Sequence, residues 1–230
     1  NEASHKAFFA MDSAQGSGAQ RIQAQIPHLE PVAEQAGNLV HYLLGVAYLA
    51  KGDYEASYKW LLRSAEAGNP EAQFAMWSLS RRAPASIISV SEARTWLLKG
   101  VKYRSAGARY TLGMLVRGGG AGFKKDFEEG QLWLRRAAEQ GHKKAQVEYG
   151  MGIIVRPDGY RPKLQDFNNS YFWIKLAADA GDKKALEVLQ KSAQLNNLNE
   201  RVAPRIEAWR KSAEPMENPL LEFAHPGGTV

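Results

Sequence analysis

The feature that most limits what this chain can fold into is a short motif that occurs four times. Each copy begins with a Trp, continues through a stretch rich in small residues, and reaches an Ala twelve residues later. The four copies run from Trp60 to Ala72, Trp96 to Ala108, Trp133 to Ala145 and Trp173 to Ala185. The tryptophans lie 36, 37 and 40 positions apart. A period of this length is typical of helix-turn-helix units stacked into a solenoid.

The first part of each copy predicts an amphipathic helix, which we call helix B. It is rich in Ala, Leu, Arg and Glu, and its apolar residues recur at helical spacing. In three copies Gly68, Gly141 or Gly181 follows, at a position where a left-handed glycine ends a helix. Because the Trp has the same register beside small residues in each copy, we expect all four tryptophans to be buried between helices.

A second helix, which we call helix A, is predicted to continue from the Ala of each copy. Gly45, Gly113 and Gly150 recur at one position of helix A, although a glycine costs a helix about 1 kcal/mol relative to Ala. This recurrence indicates close contact between helices. Trp77 stands at the same position in another pair, which is therefore expected to pack more widely. The helix pairs are predicted near residues 38–67, 70–102, 107–140 and 143–180, with 182–192 opening another pair.

The sequence resembles a known family most specifically at residues 125–142, which read KDFEEGQLWLRRAAEQGH. This string is similar to the helix B signature of the Sel1-like repeat family, a relative of the tetratricopeptide repeats. The resemblance runs from about Leu39 to Gln190. It implies an all-α fold, a right-handed α-α superhelix of antiparallel helix pairs with helical caps.

The resemblance also divides the chain into four segments. Residues 1–36 are expected to form N-terminal capping helices, with one helix near 3–14 and a second interrupted by Pro27 and Pro31. Sel1-like repeats are expected over 37–192. A C-terminal capping helix is expected over 193–214, and a flexible tail rich in Pro and Gly over 215–230.

Residue types and spacings give no indication of an enzyme, a metal site or a cofactor. The chain has no Cys, which excludes thiol catalysis, disulfides and Cys-based zinc sites. None of the five histidines has a spacing suited to a metal. The Gly-rich loop at 118–122 lacks the Lys-Ser or Lys-Thr ending of a phosphate-binding loop and follows a helix. We therefore predict a non-catalytic protein.

Charge and hydropathy narrow the partners and the location. Lys and Arg number 30 against 24 Asp and Glu, a net charge of +6 spread along the chain, which does not indicate nucleic acid. No apolar run reaches the roughly 20 residues of a transmembrane helix. The start at Asn1 without Met favours a mature product after signal removal, so a periplasmic protein or a membrane-anchored lipoprotein is expected. A cytoplasmic location is the alternative.

A candidate binding surface follows from likeness to tetratricopeptide repeats, in which positions +2, +6 and +9 of helix A line a concave groove. Counted from the motif Ala as zero, or from Val40 in the first pair, these positions are rich in aromatic residues and Met and include two arginines. Such a groove suits a peptide or helix of a partner protein. Burial between tightly wound repeats is the alternative. The candidate partner-binding residues are Tyr42, Phe74, Arg81, Tyr110, Met114 and Arg117.

These observations predict a protein-protein interaction scaffold, and the resemblance implies envelope assembly or host contact for exported bacterial members. A cell-wall or glycan-binding module that uses surface aromatic residues is the alternative, and an enzyme hidden in the atypical ends is a third reading. Reversing the charge of Arg81 and Arg117 is expected to weaken partner capture without affecting folding, because solvated arginines contribute little to stability. Residues 218–223, NPLLEF, are a candidate occupant of the groove in the same chain or in a neighbouring copy.

Overall fold

The computed structural model describes residues 20, 22–35, 37–191 and 198–212. The predicted helix near 3–14 and the predicted tail over 215–230 lie outside the described residues. Within these ranges the regular structure is helical and no β-strand occurs. The all-α prediction is therefore confirmed.

The helices follow one another as adjacent pairs. A short helix α1 (Ile26–Leu29) and a 3-10 helix (Glu30–Gln35) come first. The pairs are α2 (Asn38–Lys51) with α3 (Tyr54–Glu66), α4 (Pro70–Ser80) with α5 (Val90–Lys102), α6 (Ala106–Gly118) with α7 (Phe127–Glu139), and α8 (Lys143–Ile154) with α9 (Leu164–Asp179). Two further helices, α10 (Lys183–Lys191) and α11 (Asn199–Ser212), complete the described chain. The observed pairs match the predicted ones within a few residues at each end.

The motif Ala marks the first turn of helix A because a capping residue stands three positions before it. The backbone N–H of the Ala donates to that side chain over 2.9 to 3.2 Å in four helices. The four capping residues are Asn69, Ser105, His142 and Asp182. A side chain that accepts such a bond satisfies one of the free N–H groups at the start of a helix. The Ala therefore keeps the same position in each copy because the helix cap lies three residues before it.

The recurrent glycine of helix A lies where helices A and B approach most closely. A Cβ atom there would come within 2.6 to 2.9 Å of the side chain that follows the motif Trp on helix B. These pairs are Gly45 with Leu61, Gly113 with Leu134 and Gly150 with Ile174. The close contact predicted from the glycines is confirmed. In α4 the same position holds Trp77, whose ring is itself buried in the core.

Three of the four motif tryptophans are buried as predicted, with 6 to 8% of their surface exposed. They are Trp60, Trp96 and Trp173. The prediction is wrong for Trp133, which is only half-buried. Its ring is covered by side chains of its own helix, since Arg136 lies 4.5 Å from the ring centroid and Glu129 accepts its N–H at 3.4 Å. Register alone therefore does not decide how much of a repeated side chain is enclosed.

The core runs through the array as clusters that the helix pairs share. One cluster joins α2 to α6, and another joins α7 to α11. At the amino end, Ile26 and Ala33 pack with Tyr48 and Trp60 in a smaller cluster. At the carboxyl end, Val202 and other apolar residues of α11 join the second cluster. The elements before α2 and after α10 thus cover the ends of the array, while the exact domain boundaries stay a prediction.

Candidate functional site

The structure places the six predicted partner-binding residues in different surroundings. Tyr42 is fully buried and Phe74 is 7% exposed, so both belong to the core of the amino-terminal half. Tyr110 and Met114 are half-buried, and the Tyr110 ring stacks on the His142 ring with centroids 4.6 Å apart. Arg81 is exposed at the end of α4. The six residues therefore do not present one continuous apolar surface.

Arg117, the last of the six, belongs to an ionic bridge between helices A. Its guanidinium donates to the Glu148 carboxylate at 2.6 Å, and Lys184 donates to the same carboxylate from α10. Burial opposes ionisation of Glu148, but the hydrogen bonds from Lys184 and Arg117 prevail and hold the pKa of this carboxyl below its usual range. The assumption that Arg117 is solvated is therefore wrong. Its charge ties α6 to α8.

Two adjoining cavities form an open depression that the sequence did not reveal, which we call the α7–α9 groove. Their volumes are about 360 and 350 Å³. Both are lined by Arg135, Tyr149, Ile153 and Asp166. The first also contacts Glu128, Gln131, Leu132, Gly152, Arg156 and Tyr160, and the second also contacts Asn169, Trp173 and Arg205. The groove is thus bounded by helices α7, α8, α9 and α11 and by the loop after α8.

A glycine of α8 explains how α7 and α8 meet under the groove. A Cβ atom on Gly152 would overlap the side-chain amide of Gln131. Gln131 is 7% exposed, and its Nε2 donates to the carbonyl oxygen of Tyr149 at 3.4 Å. The missing side chain at Gly152 therefore lets a long polar side chain lie across α8.

The apolar wall of the groove is an aromatic cluster with edge-to-face geometry. Tyr149 meets Trp173 with ring centroids 5.6 Å apart and an interplanar angle of 73°. Trp173 in turn meets Phe172 at 5.0 Å and Trp209 at 5.2 Å. Such contacts contribute stability beyond the area they bury. The wall is held by side chains from α8, α9 and α11, so its shape does not depend on a loop.

Two charged residues of the groove, Arg156 and Asp166, are already bonded to neighbouring groups. Arg156 pairs with Glu128 of α7 and with Asp158, the latter at 3.2 Å. Asp166 accepts the backbone N–H of Lys163 and the hydroxyl of Tyr160, each at 2.8 Å. The hydrogen bond from Lys163 has the larger effect and the one from Tyr160 the next. Together they hold the pKa of the Asp166 carboxyl below its usual range.

The other two arginines of the groove are held differently. Arg135 donates to Glu139 of its own helix at 2.8 Å and is about half exposed. Arg205 donates to the neutral amide oxygen of Asn169 at 2.7 Å, and its guanidinium carbon lies 4.1 Å from the Phe172 ring centroid. Burial raises the pKa of the Tyr149 hydroxyl. The charges of Arg135 and Arg205 oppose that rise, and the charge of Glu139 adds to it. Both cations therefore act on the same hydroxyl.

Sequence reasoning missed this groove because it followed the wrong positions of helix A. Tyr149, Gly152 and Ile153 stand at +4, +7 and +8 from the motif Ala of α8, and not at +2, +6 and +9. One signal was available in the sequence. Gly152 is a second glycine, two residues after the recurrent Gly150. Because a glycine weakens a helix, its presence there indicates that a neighbouring group packs closely against α8.

The described residues contain no cluster of three or more His, Asp or Glu side chains placed to hold a metal ion. In the same ranges, no helix combines the length and the apolar character that a membrane crossing requires.

The Gly-rich loop at 118–122 ends α6. Its Gly119 adopts the left-handed conformation that caps a helix.

Comparison with known proteins gives a match in structure only. No family model matches the sequence, and no curated protein matches it. The chain is similar to the crystal structure of a Sel1 repeat protein from Oxalobacter formigenes, with a TM-score of 0.63 and 21% sequence identity over 93% of this chain and 89% of that one.

It is also similar to a protective antigen of uropathogenic Escherichia coli strains that displays the SLR fold. That likeness has a TM-score of 0.47 and 18% identity, and it covers 88% of this chain but 51% of the antigen. The first comparison, together with the capped helix pairs and their buried glycines, confirms the resemblance at the level of fold. The chain folds as a Sel1-like repeat solenoid.

Proposed function

We propose that this chain is a non-catalytic scaffold whose α7–α9 groove binds an extended or helical segment of a partner protein. The observation that carries the proposal is the groove itself, an open depression with a rigid aromatic wall and arginines at its edge. Aromatic and Arg side chains are the residues that contribute most to protein interfaces. A solenoid offers long open surfaces of this kind without a built-in reaction.

The predicted concave groove stays a second candidate contact surface. Its six residues are proposed to act through the members that reach the surface, Arg81 above all. The segment 218–223 is a candidate occupant of either surface and a route to self-association. A place in the assembly of a bacterial envelope, with a periplasmic or membrane-anchored location, is the setting that the family resemblance suggests.

A glycan or cell-wall binder is the second candidate function, because two aromatic side chains of the described residues are exposed. Tyr160 at the groove is 40% exposed and Tyr103 after α5 is 53% exposed. Sugars stack on exposed aromatic faces. The buried position of Trp173, by contrast, leaves its faces packed against protein and favours the scaffold reading.

Site-specific photo-crosslinking tests the scaffold proposal. Leu132 lines the groove and is 46% exposed, while Leu98 of α5 is 42% exposed and lines neither cavity. A photo-reactive amino acid placed at either position meets solvent to a similar extent. We expect covalent protein adducts at position 132 and few at position 98, measured by mass spectrometry after crosslinking in a lysate of the source cells.

The alternative outcomes are distinct. Equal crosslinking at both positions, or none at 132, would refute the groove as the site of protein binding. Binding to a glycan array that is lost in Tyr160→Ala, without protein adducts at 132, would establish the glycan function in its place.

A further inference from the structure

Arg205 and Asp166 both line the second cavity but are not paired with each other. Arg156 and Glu128 neutralise each other on the first cavity, and Asp166 uses its Oδ2 atom for two neutral donors. Arg205 has no acidic partner among the described residues, since it bonds only to the Asn169 amide and stacks on Phe172. The edge of the second cavity therefore carries a guanidinium that is held in place but not paired with a carboxylate.

Arg135 and Tyr149 stand beside this guanidinium. Both line the same cavity as Arg205, and the charges of Arg135, Glu139 and Arg205 all act on the Tyr149 hydroxyl. In the part of the chain that the structure describes, this hydroxyl makes no hydrogen bond, although the Tyr149 ring is fixed against Trp173. Two arginines, of which Arg135 is paired with Glu139, and a free O–H donor thus line one small cavity beside an apolar wall, and the Asp166 carboxylate lines the same cavity.

We propose that Arg135, Tyr149 and Arg205 form a carboxylate subsite that receives a Glu or Asp side chain from an extended segment of a partner protein. Arg205 supplies paired N–H donors that match a carboxylate, and the Tyr149 hydroxyl donates to the same group. Ile153 and Trp173 face the cavity next to these donors and accommodate an apolar residue adjacent to the acid. The subsite rests on the proposed scaffold function and specifies which segment the groove selects.

The stacking of Arg205 on Phe172 favours this use. A guanidinium that is already oriented loses little conformational freedom when it binds, so more of the interaction appears as affinity. Charge-assisted hydrogen bonds are also stronger than neutral ones. The subsite is therefore expected to distinguish Glu from Gln, which have nearly the same shape and differ in charge.

A paired peptide library tests the proposal with the full chain. The probes are random hexapeptides with either Glu or Gln at the fifth position, and one pair is NPLLEF and NPLLQF. We expect the selected Glu peptides to bind the parent protein about tenfold or more tightly than their Gln counterparts, in fluorescence anisotropy at low salt. The preference should shrink as salt screens the charges at the exposed edge.

Three variants locate the preference. Arg205→Gln should abolish it, and Tyr149→Phe should reduce it several-fold while keeping the ring against Trp173. Arg201→Gln is the matched control, because Arg201 is exposed on the same helix, loses the same charge and lines neither cavity. It should keep the preference of the parent. Unchanged thermal unfolding of each variant shows that the fold is intact.

Equal affinity for Glu and Gln peptides, or a preference that survives Arg205→Gln, would overturn the subsite. Protein adducts at position 132 combined with such equal affinities would leave the scaffold proposal standing and reject the subsite alone. Tighter peptide binding by the full chain after Glu222→Gln would show that the chain's own segment competes for the subsite, which would overturn its assignment to a partner.

Discussion

The amino-terminal and carboxyl-terminal halves of the array repeat one unit but fill it differently. Between α2 and α5 the space between helices is taken by large rings, including Tyr42, Phe74 and Trp77, which are all buried. In the carboxyl-terminal half, the helix A called α8 carries Gly150 and Gly152, and a groove opens beside it. A repeated register therefore determines the path of the backbone, and the side chains on neighbouring helices determine whether a surface groove remains open.

The largest difference is expected between two tryptophans of the same register. Trp173→Ala removes a buried ring that contacts three other aromatic rings, and it should lower the free energy of unfolding by about 4 kcal/mol. Trp133→Ala removes a half-buried ring and should cost roughly 1 to 2 kcal/mol. Urea unfolding followed by circular dichroism measures both. Equal costs would show that Trp133 is as well packed as the others.

The next largest effect separates two arginines that the sequence grouped together. Arg117→Glu breaks the partly buried pair with Glu148 and places two carboxylates side by side, so we expect a loss of about 2 to 3 kcal/mol in unfolding free energy. Arg81→Glu at an exposed position should have no measurable effect on stability. If both variants unfold like the parent, the ionic bridge between α6 and α8 contributes nothing, and the two arginines are equivalent after all.

Two glycines give a smaller contrast. A methyl group on Gly150 would lie 2.9 Å from Ile174 and 3.0 Å from the carbonyl oxygen of Ser170, a backbone atom that cannot turn away. Gly150→Ala should therefore destabilise by about 1 to 2 kcal/mol despite the better helix propensity of Ala. Gly118→Ala has open space around the new methyl and should be neutral or stabilise by about 0.5 kcal/mol. Thermal unfolding midpoints that rise for both would refute the close approach at Gly150.

Much of the fold was predictable from the sequence because it depends on local chemistry. The capping position before the motif Ala, the left-handed Gly68, Gly141 and Gly181, and the tight glycine of helix A each follow from backbone physics at one residue. The helix pairs and their order follow from these signals together.

The site was less predictable because it depends on contacts between repeats. From the sequence, Arg117 is expected to be a surface residue, because Glu148 and Lys184 lie on other helices. Only the fold brings these residues together in one ionic bridge. The α7–α9 groove exists because Gln131 lies over Gly152 and because Arg205, more than fifty residues later in the chain, meets Phe172. No spacing within one repeat encodes such a meeting. Likeness to another repeat family therefore pointed to positions +2, +6 and +9, of which +2 is enclosed here at both Tyr42 and Phe74.

The smallest effect is expected at Tyr42, and it bears directly on the predicted concave groove. The Tyr42 hydroxyl is buried without a hydrogen-bond partner, and burial, with the nearby charge of Glu71, raises the pKa of this group well above its usual value. Tyr42→Phe removes an unpaired polar group and keeps the ring, so stability should stay unchanged or rise by up to about 1 kcal/mol. Tyr58→Phe is the matched control. Its hydroxyl donates to Glu92 at 2.8 Å between α3 and α5, and its loss should cost about 1 kcal/mol.

Because Tyr42 has no exposed surface, Tyr42→Phe should also leave partner affinity unchanged. A loss of affinity at unchanged stability would mean that the amino-terminal half opens to expose this ring, and that the two halves of the array both bind.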